Sequence, residues 1–476
     1  MTARWWTLVG ACFGLFLLML DSSVVSLALP AIRHDVDASA EQLQWMMNAY
    51  LLTISVLVVT AGRLGDMFGR KLLFLIGMFG FGIGSVLSGT ASDPDLLILG
   101  RVVQGAGAAP VLGLSLALVC NVFPEAEVPK ALGIWAGVSA SALAIGPLVG
   151  GVLVEIDWRV IFLMNLPIIA GGIMIVARFA PESTDPGAGH EVDWPGLASL
   201  SLGLTLVVLA LVQSEAWSSG LVIALGLIGL GSLAAFWFVE HRVQSPIVEF
   251  DLFRNGPYFG ASAAAFALVG AWWAVIYFQP QYLQDVRGNS PLVCGLEVLP
   301  ITVPMICLSP FSGRLIAKFG PRALMTFGMA VGTAGMIVLT QIDATTPYGV
   351  LLIGYLLFGV ALGLVYAPMS TAAMAAMPGE KVGIAAGVLS MVRVLAGAVA
   401  LAGAGAIFHA LLGSGHSFAG SVAGSNWLVV GLTAIGTVFT WGFVRGPEEE
   451  GPDPAVAGRP APAQLQHHAH HRRFHL

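Results

Sequence analysis

The stretch Gly62-Arg63-Leu64-Gly65-Asp66-Met67-Phe68-Gly69-Arg70-Lys71 returns 251 positions later as Gly313-Arg314-Leu315-Ile316-Ala317-Lys318-Phe319-Gly320-Pro321-Arg322, with five identities in ten. Gly105 and Pro124 are matched in the same way by Gly359 and Pro378, at an offset of 254. Each copy is a short charged segment between long apolar runs, so the chain reads as two corresponding halves. Membrane proteins built on that plan place their binding site between the halves, near the bilayer midplane.

The surroundings of the repeat agree. Of 476 residues, 57% are hydrophobic and only 10% charged, and mean hydropathy is +0.85; soluble proteins carry about a quarter charged residues. A helix needs about 20 mostly apolar residues to cross the hydrocarbon core, and counting such runs predicts fourteen spans. The expectation is an all-α membrane protein with two six-helix bundles and two extra helices: residues 1–180 form the first bundle, 181–193 a cytoplasmic loop, 194–240 two inserted spans, 241–257 a linker, 258–446 the second bundle and 447–476 a disordered tail. In the second bundle the tenth and eleventh spans are expected near 293–316 and 322–341.

With the N-terminus in the cytoplasm, 16 of the 21 Lys and Arg fall on that side and only Arg33, Arg159 and Arg287 outside, with Arg101 and Arg393 inside spans. That asymmetry fits the positive-inside rule and puts both termini in the cytoplasm of a bacterial inner membrane. The first apolar run continues through Asp21 to Pro30 without a small-residue cleavage site and is read as a span. Cys12, Cys120, Cys294 and Cys307 have no metal or disulfide spacing and read as packing thiols. The tail histidines, His467 to His475, read as a low-complexity end with no assigned role. No basic stripe suggests nucleic acid, and no metal-binding His-Glu-x-x-His, nucleophile motif or phosphate loop suggests an enzyme.

Several intramembrane positions carry chemistry. Asp21, in Leu20-Asp21-Ser22-Ser23-Val24-Val25-Ser26-Leu27-Ala28-Leu29-Pro30, lies deep in an apolar run where low polarity penalises the carboxylate. It is either a reversible proton site or a helix-packing group satisfied by a neighbouring span. In Leu99-Gly100-Arg101-Val102-Val103-Gln104-Gly105-Ala106-Gly107, a lone arginine would be expensive; Arg101 either pairs with an acid or satisfies main-chain carbonyls of a kinked neighbour. Pro147, in Gly146-Pro147-Leu148-Val149-Gly150-Gly151, removes one helical hydrogen bond while the glycines permit close packing, giving a segment that bends and seals against another helix. Glu297, early in the tenth span, is either a second protonation or cation site open to the outer face or a side chain that reaches the headgroups. Trp45, Tyr50, Trp272, Trp273 and Tyr277 either line an amphipathic cavity for aromatic or cationic compounds or anchor the interface.

Taken with the region Tyr277-Phe278-Gln279-Pro280-Gln281-Tyr282-Leu283-Gln284-Asp285-Val286-Arg287-Gly288, these motifs resemble the major facilitator superfamily, and within it the fourteen-span drug:proton antiporters. The resemblance covers the chain up to its tail. Two departures stand out: Ser26 where that family usually has Asn, and Glu297 where it has a small or apolar residue. The resemblance implies proton-coupled export of small lipophilic or cationic compounds by alternating access, with the proton as coupling ion and no cofactor. With the readings of the residues above, proton coupling is expected at Asp21, Arg101 and Glu297, the last outside the family pattern, and substrate contacts at Tyr50, Gln104, Trp272, Trp273, Tyr277 and Gln281. Conformational roles fall to Gly62, Arg63, Gly65, Asp66, Gly69 and Arg70 as a latch, Gly146, Pro147, Gly150 and Gly151 as a gate, and Arg393. The expected partners are a small-molecule substrate, protons and lipids, with the chain working as a monomer. A dedicated metabolite exporter and a non-transporting sensor are the alternatives on the same fold.

Overall fold

A backbone in hydrocarbon has to satisfy its N–H and C=O groups within itself, and this chain does so with helices. The computed structural model describes residues 2–124, 127–184, 193–214, 216–243, 246–378 and 381–444. The tail with its histidines, and most of the 181–193 loop, lie outside the described residues. Fourteen helices are long and apolar enough to cross a membrane. The first six are α1 (Ala3–Asp35), α2 (Ala40–Phe68), α3 (Arg70–Gly89), α4 (Pro94–Val122), α5 (Val128–Ile156) and α6 (Val160–Phe179). Then come α7 (Trp194–Val212), α8 (Ser219–Glu240), α9 (Gly256–Val286), α10 (Pro291–Leu308), α11 (Ser312–Leu339), α12 (Tyr348–Ala375), α13 (Val382–Gly413) and α14 (Phe418–Phe443).

Local sequence explains where the helices begin. The side chains of Ser39, Asp93, Asp193, Asn255, Ser290 and Ser417 each accept a backbone N–H of the first turn, which supplies one of the four partners a helix start lacks. At α2 the arrangement is reciprocal, because the Ser39 N–H also donates to Gln42 Oε1 at 3.0 Å, a capping box.

Helices α1–α6 and α9–α14 form two bundles. Helices α7 and α8 pack on each other through the close approach of Gly203 and Gly229, and α7 lies against α2 of one bundle and α13 of the other. The internal repeat is visible in the backbone: Gly69 (φ 122°) separates α2 from α3, and Gly320 (φ 76°), its counterpart at offset 251, breaks α11. The expected ends of the tenth and eleventh spans shift accordingly. Helix α10 stops at Leu308, a single 3-10 turn covers Ser309–Phe311, and helix resumes at Ser312, so the charged segment before Gly320 is helical rather than a loop. Gly105 and Gly359 also do equivalent work. A Cβ at Gly105 would stand 2.8 Å from the Tyr50 carbonyl oxygen, and one at Gly359 would stand 2.6 Å from that of Ile301. In each half the fourth helix crosses the second on a glycine.

Among the described residues, the hydrogen bonds and ion pairs that join the two halves gather away from the Gly69 and Gly320 end. Gln284 donates to the Leu27 carbonyl at 3.0 Å, Ser290 to Glu155 at 2.8 Å, and Gln44 to the Leu401 carbonyl at 3.0 Å, while Arg33 faces Asp285 at 3.9 Å. Thr302, near mid-helix, reaches the Ala144 carbonyl at 3.4 Å. Helix α5 lies on α10 at Gly151, where a Cβ would meet the Pro291 carbonyl oxygen at 2.8 Å. At the other end, where Gly62, Gly133, Gly137, Gly383 and Gly387 lie, none of these links is found among the described residues. The halves are therefore sealed at one face and parted at the other.

Candidate functional site

Five helices of the first half converge on Asp21, which is 1% exposed. Arg101 Nη1 donates to Asp21 Oδ2 at 2.6 Å and to Gln104 Oε1 at 2.9 Å, and its Nε donates to the Met46 carbonyl at 3.0 Å. Its guanidinium also lies 4.1 Å from the centre of the Tyr50 ring. Asp21 Oδ1 accepts from Gln104 Nε2 at 3.3 Å and from Asn165 Nδ2 at 3.1 Å, and both amides also donate to Ser85 Oγ. Arg101 and Gln104 reach one acid because residues three apart share a helix face. The two sequence readings of Arg101 turn out not to be exclusive: it pairs with an acid and satisfies a main-chain carbonyl of α2. Burying two charges is tolerable only with such pairing and supporting hydrogen bonds.

Tyr50 has a second neighbour. With Leu18, Met19 and Ser22 of α1 it forms one wall of a cavity of about 110 Å³ between the halves. The facing wall carries Trp272 and Trp273 of α9, Tyr366 of α12, and Ser390 and Arg393 of α13. One aromatic ring thus touches both the buried ion pair and the central cavity. Arg393 donates to Ser370 Oγ and lies 5.2 Å from the Tyr366 ring centre. Its Nε is buried without a partner, and among the described residues no carboxylate lies within 4.0 Å of it.

The other expected site residues divide by location. Of the expected substrate contacts, Tyr50, Trp272 and Trp273 line the cavity, whereas Gln104 belongs to the Asp21 cluster. Tyr277 and Gln281 are buried in the last turns of α9, with Gln281 donating to the Tyr277 carbonyl at 2.8 Å. Glu297 is half-buried on α10 and accepts from Asn289 Nδ2 at 2.6 Å, well away in sequence and contact from Asp21. Asp66 does not pair across the bundle interface; it takes Arg70 Nε at 2.7 Å within its own half, because the halves are parted at that end. Arg63 is half-buried nearby, Gly65 packs on Leu114, and Gly69 sits against the Glu182 carboxylate, which accepts the Lys71 and Leu72 N–H groups. In the α5 segment Gly146 and Gly150 bring Ser23 and Val24 of α1 close. Sequence reading did not identify Ser85, Asn165, Tyr366 or Ser370; a lone Asn in the apolar run Ile161-Phe162-Leu163-Met164-Asn165-Leu166 was the available signal for one of them.

Two helical bundles, a buried ion pair and a cavity between the halves that is closed at one face define a membrane transporter of small molecules. Residues 11–401 match the Major Facilitator Superfamily, and the chain belongs to that family. The chain is 29% identical over 435 residues to the tetracenomycin C resistance and export protein of Streptomyces glaucescens, covering 91% of this chain and 80% of that one. It is 33% identical over 410 residues to the puromycin resistance protein pur8 of Streptomyces alboniger (84% and 80%). A solved D-xylose-proton symporter shares the fold at a TM-score of 0.66 and 16% identity, over 92% of this chain and 97% of that one.

Proposed function

We propose that this protein is a proton-coupled antiporter that exports small lipophilic compounds by alternating access, with Asp21 as the proton-carrying group. The observation that carries the reading is the geometry at Asp21. The oxygen that takes Arg101 is an oxygen a proton would occupy, so proton and guanidinium compete for one carboxylate. When a proton enters, Arg101 loses its anion and is left with the Met46 carbonyl, Gln104 Oε1 and the Tyr50 ring, which lines the cavity. Proton occupancy and cavity shape are thereby linked through one side chain, which is what exchange of two ligands requires. The charged Gly69 and Gly320 end, where the halves are parted, is the cytoplasmic face by the positive-inside rule, so this conformation takes substrate from inside. The names of the resistance and export relatives support drug or antibiotic efflux as the physiological direction.

The test uses the full chain in proteoliposomes and in cells, with Asp21→Asn beside wild type at matched expression. Efflux of a fluorescent lipophilic substrate by wild type should collapse with a protonophore and in Asp21→Asn, while the variant keeps substrate–substrate counterflow. Proton-driven efflux by the variant at the wild-type rate would remove Asp21 from the coupling role.

A further inference from the structure

The two arginines that sequence reading places inside spans have opposite surroundings. Arg101 has a carboxylate, an amide oxygen, a main-chain carbonyl and an aromatic face, with only its Nη2 buried without a partner. Arg393 has one hydroxyl and one ring, a buried Nε with no acceptor, and no acid beside it among the described residues. It also lines the cavity, whose remaining walls are almost entirely apolar.

A guanidinium presents five donors and cannot shed its charge at any physiological pH. In a largely apolar wall without an anion it is under-compensated, and Arg393, half-buried at the cavity, is placed to take an anion that enters there. Asp21 cannot supply it, because its carboxylate is already shared between Arg101, Gln104 and Asn165. The net formal charge of the cavity wall is therefore the single positive charge of Arg393.

Resting on the transport reading above, we infer that the substrates of this protein carry an acidic group, a carboxylate or an ionised phenol, on an apolar aromatic frame, and that Arg393 binds that group. The planar fork matches two oxygens at once and makes charge-assisted bonds. Trp272 and Trp273 offer flat apolar surface to the rest of the molecule. The enclosed space, about 110 Å³, is smaller than the roughly 150 Å³ that admits benzene in an engineered cavity, so it seats the acidic end while the remainder points to the parted face. A cationic compound of the same shape meets like charge here and no carboxylate to balance it.

The test is equilibrium binding by calorimetry to the purified full chain in detergent, with three matched probes: an anthracene carboxylate, its carboxamide and its aminomethyl analogue. The wild type should bind the carboxylate at least tenfold more tightly than the aminomethyl probe. Arg393→Gln should lose that preference and weaken the carboxylate far more than the carboxamide, while Arg393→Lys should keep part of it; melting temperatures establish that both variants are folded. If Arg393→Gln does not fold, the Arg393→Lys variant decides, since losing the fork should weaken the carboxylate selectively. The inference is overturned if the aminomethyl probe binds as tightly as the carboxylate, if neither substitution changes carboxylate affinity, or if the carboxylate does not bind at millimolar concentration. Binding needs no proton gradient, so selective binding without protonophore-sensitive efflux would sink the antiport reading alone. Protonophore-sensitive efflux of cations without carboxylate preference would sink this inference alone.

Discussion

Replacing Arg101 by methionine keeps a helix-compatible chain of similar length and deletes the guanidinium. Asp21 is left fully buried with only two amide donors, at 3.3 and 3.1 Å. Breaking one partner out of a buried ion pair costs about 3–5 kcal/mol, because the survivor is an uncompensated charge. Asp21→Asn has the mirror effect: Arg101 keeps the Met46 carbonyl, Gln104 Oε1 and the Tyr50 ring, none of which is an anion. In the double variant neither charge remains, and the loss shrinks to a couple of hydrogen bonds, about 1–3 kcal/mol. The single costs therefore fail to add, and the coupling energy is about 3 kcal/mol or more. Reversible unfolding of the purified full chain by dodecyl sulfate in mixed micelles measures all four corners of the cycle. Costs that add to within about 0.5 kcal/mol would show that Asp21 and Arg101 do not act as a pair. The double variant, though stable, should still fail to drive efflux with a proton gradient.

Gly69→Ala and Gly320→Ala force side chains into backbone with φ of 122° and 76°; each should cost about 1–3 kcal/mol in the same unfolding assay, and an unchanged midpoint would mean these junctions relax freely. Gly151→Val places a branched side chain against the Pro291 carbonyl, so it should abolish transport while leaving expression and melting temperature close to wild type, with cysteines introduced at the closed face becoming reactive; wild-type transport would argue against a seal there. In the loop between α11 and α12, hydrogen bonds from Thr345 and Thr346 lower the pKa of Asp343 below its usual 3.8. A depressed acid stabilises above its unfolded pKa and loses that contribution as pH falls through the folded one. The stability gap between wild type and Asp343→Asn should therefore hold from pH 7 down to about pH 4 and close in more acidic buffer; a gap that widens with acid would reverse the sign of the reasoning.

What the sequence made legible follows from which physical rules act locally. Spans, their number and the repeat were readable because hydrocarbon thickness and backbone satisfaction impose long apolar runs. The Gly69 and Gly320 junctions were readable as a repeated motif, although their shared backbone conformation was not. Asp21, Arg101 and the α5 glycines stood out because charge and small size are rare signals in apolar helices. Ser85 and Asn165 did not, since a neutral polar residue in a span carries little hydropathy signal and its importance depends on which neighbour it faces. That Tyr277 and Gln281 lie outside the cavity lining was illegible for the same reason: α9 is buried on nearly all faces in its second half, so periodicity cannot tell a cavity wall from bundle interior. The direction of Asp66 depends on which conformation the halves hold, and no local pattern encodes that.

The contrast between the two arginines also determines how the exchange draws on the membrane potential. Moving one charge through 100 mV is worth about 2.3 kcal/mol. On the proposed one-proton exchange, export of a neutral compound moves one charge inward, which sustains a gradient of roughly 40-fold. Export of a monocation for a proton moves none, so only the pH difference drives it. Export of a monoanion moves the equivalent of two, about 4.6 kcal/mol per 100 mV, or a gradient on the order of a thousandfold or more. On the two proposals taken together, Arg393 in the cavity would do more than select acids: it would favour the substrate charge for which a one-proton exchange yields the largest gradient. The same proposals divide the labour, giving the proton to the N-terminal half with its neutralised pair and the cargo to the C-terminal half with its uncompensated charge. Tyr50, beside Arg101 and in the cavity wall at once, is the point where the two tasks meet.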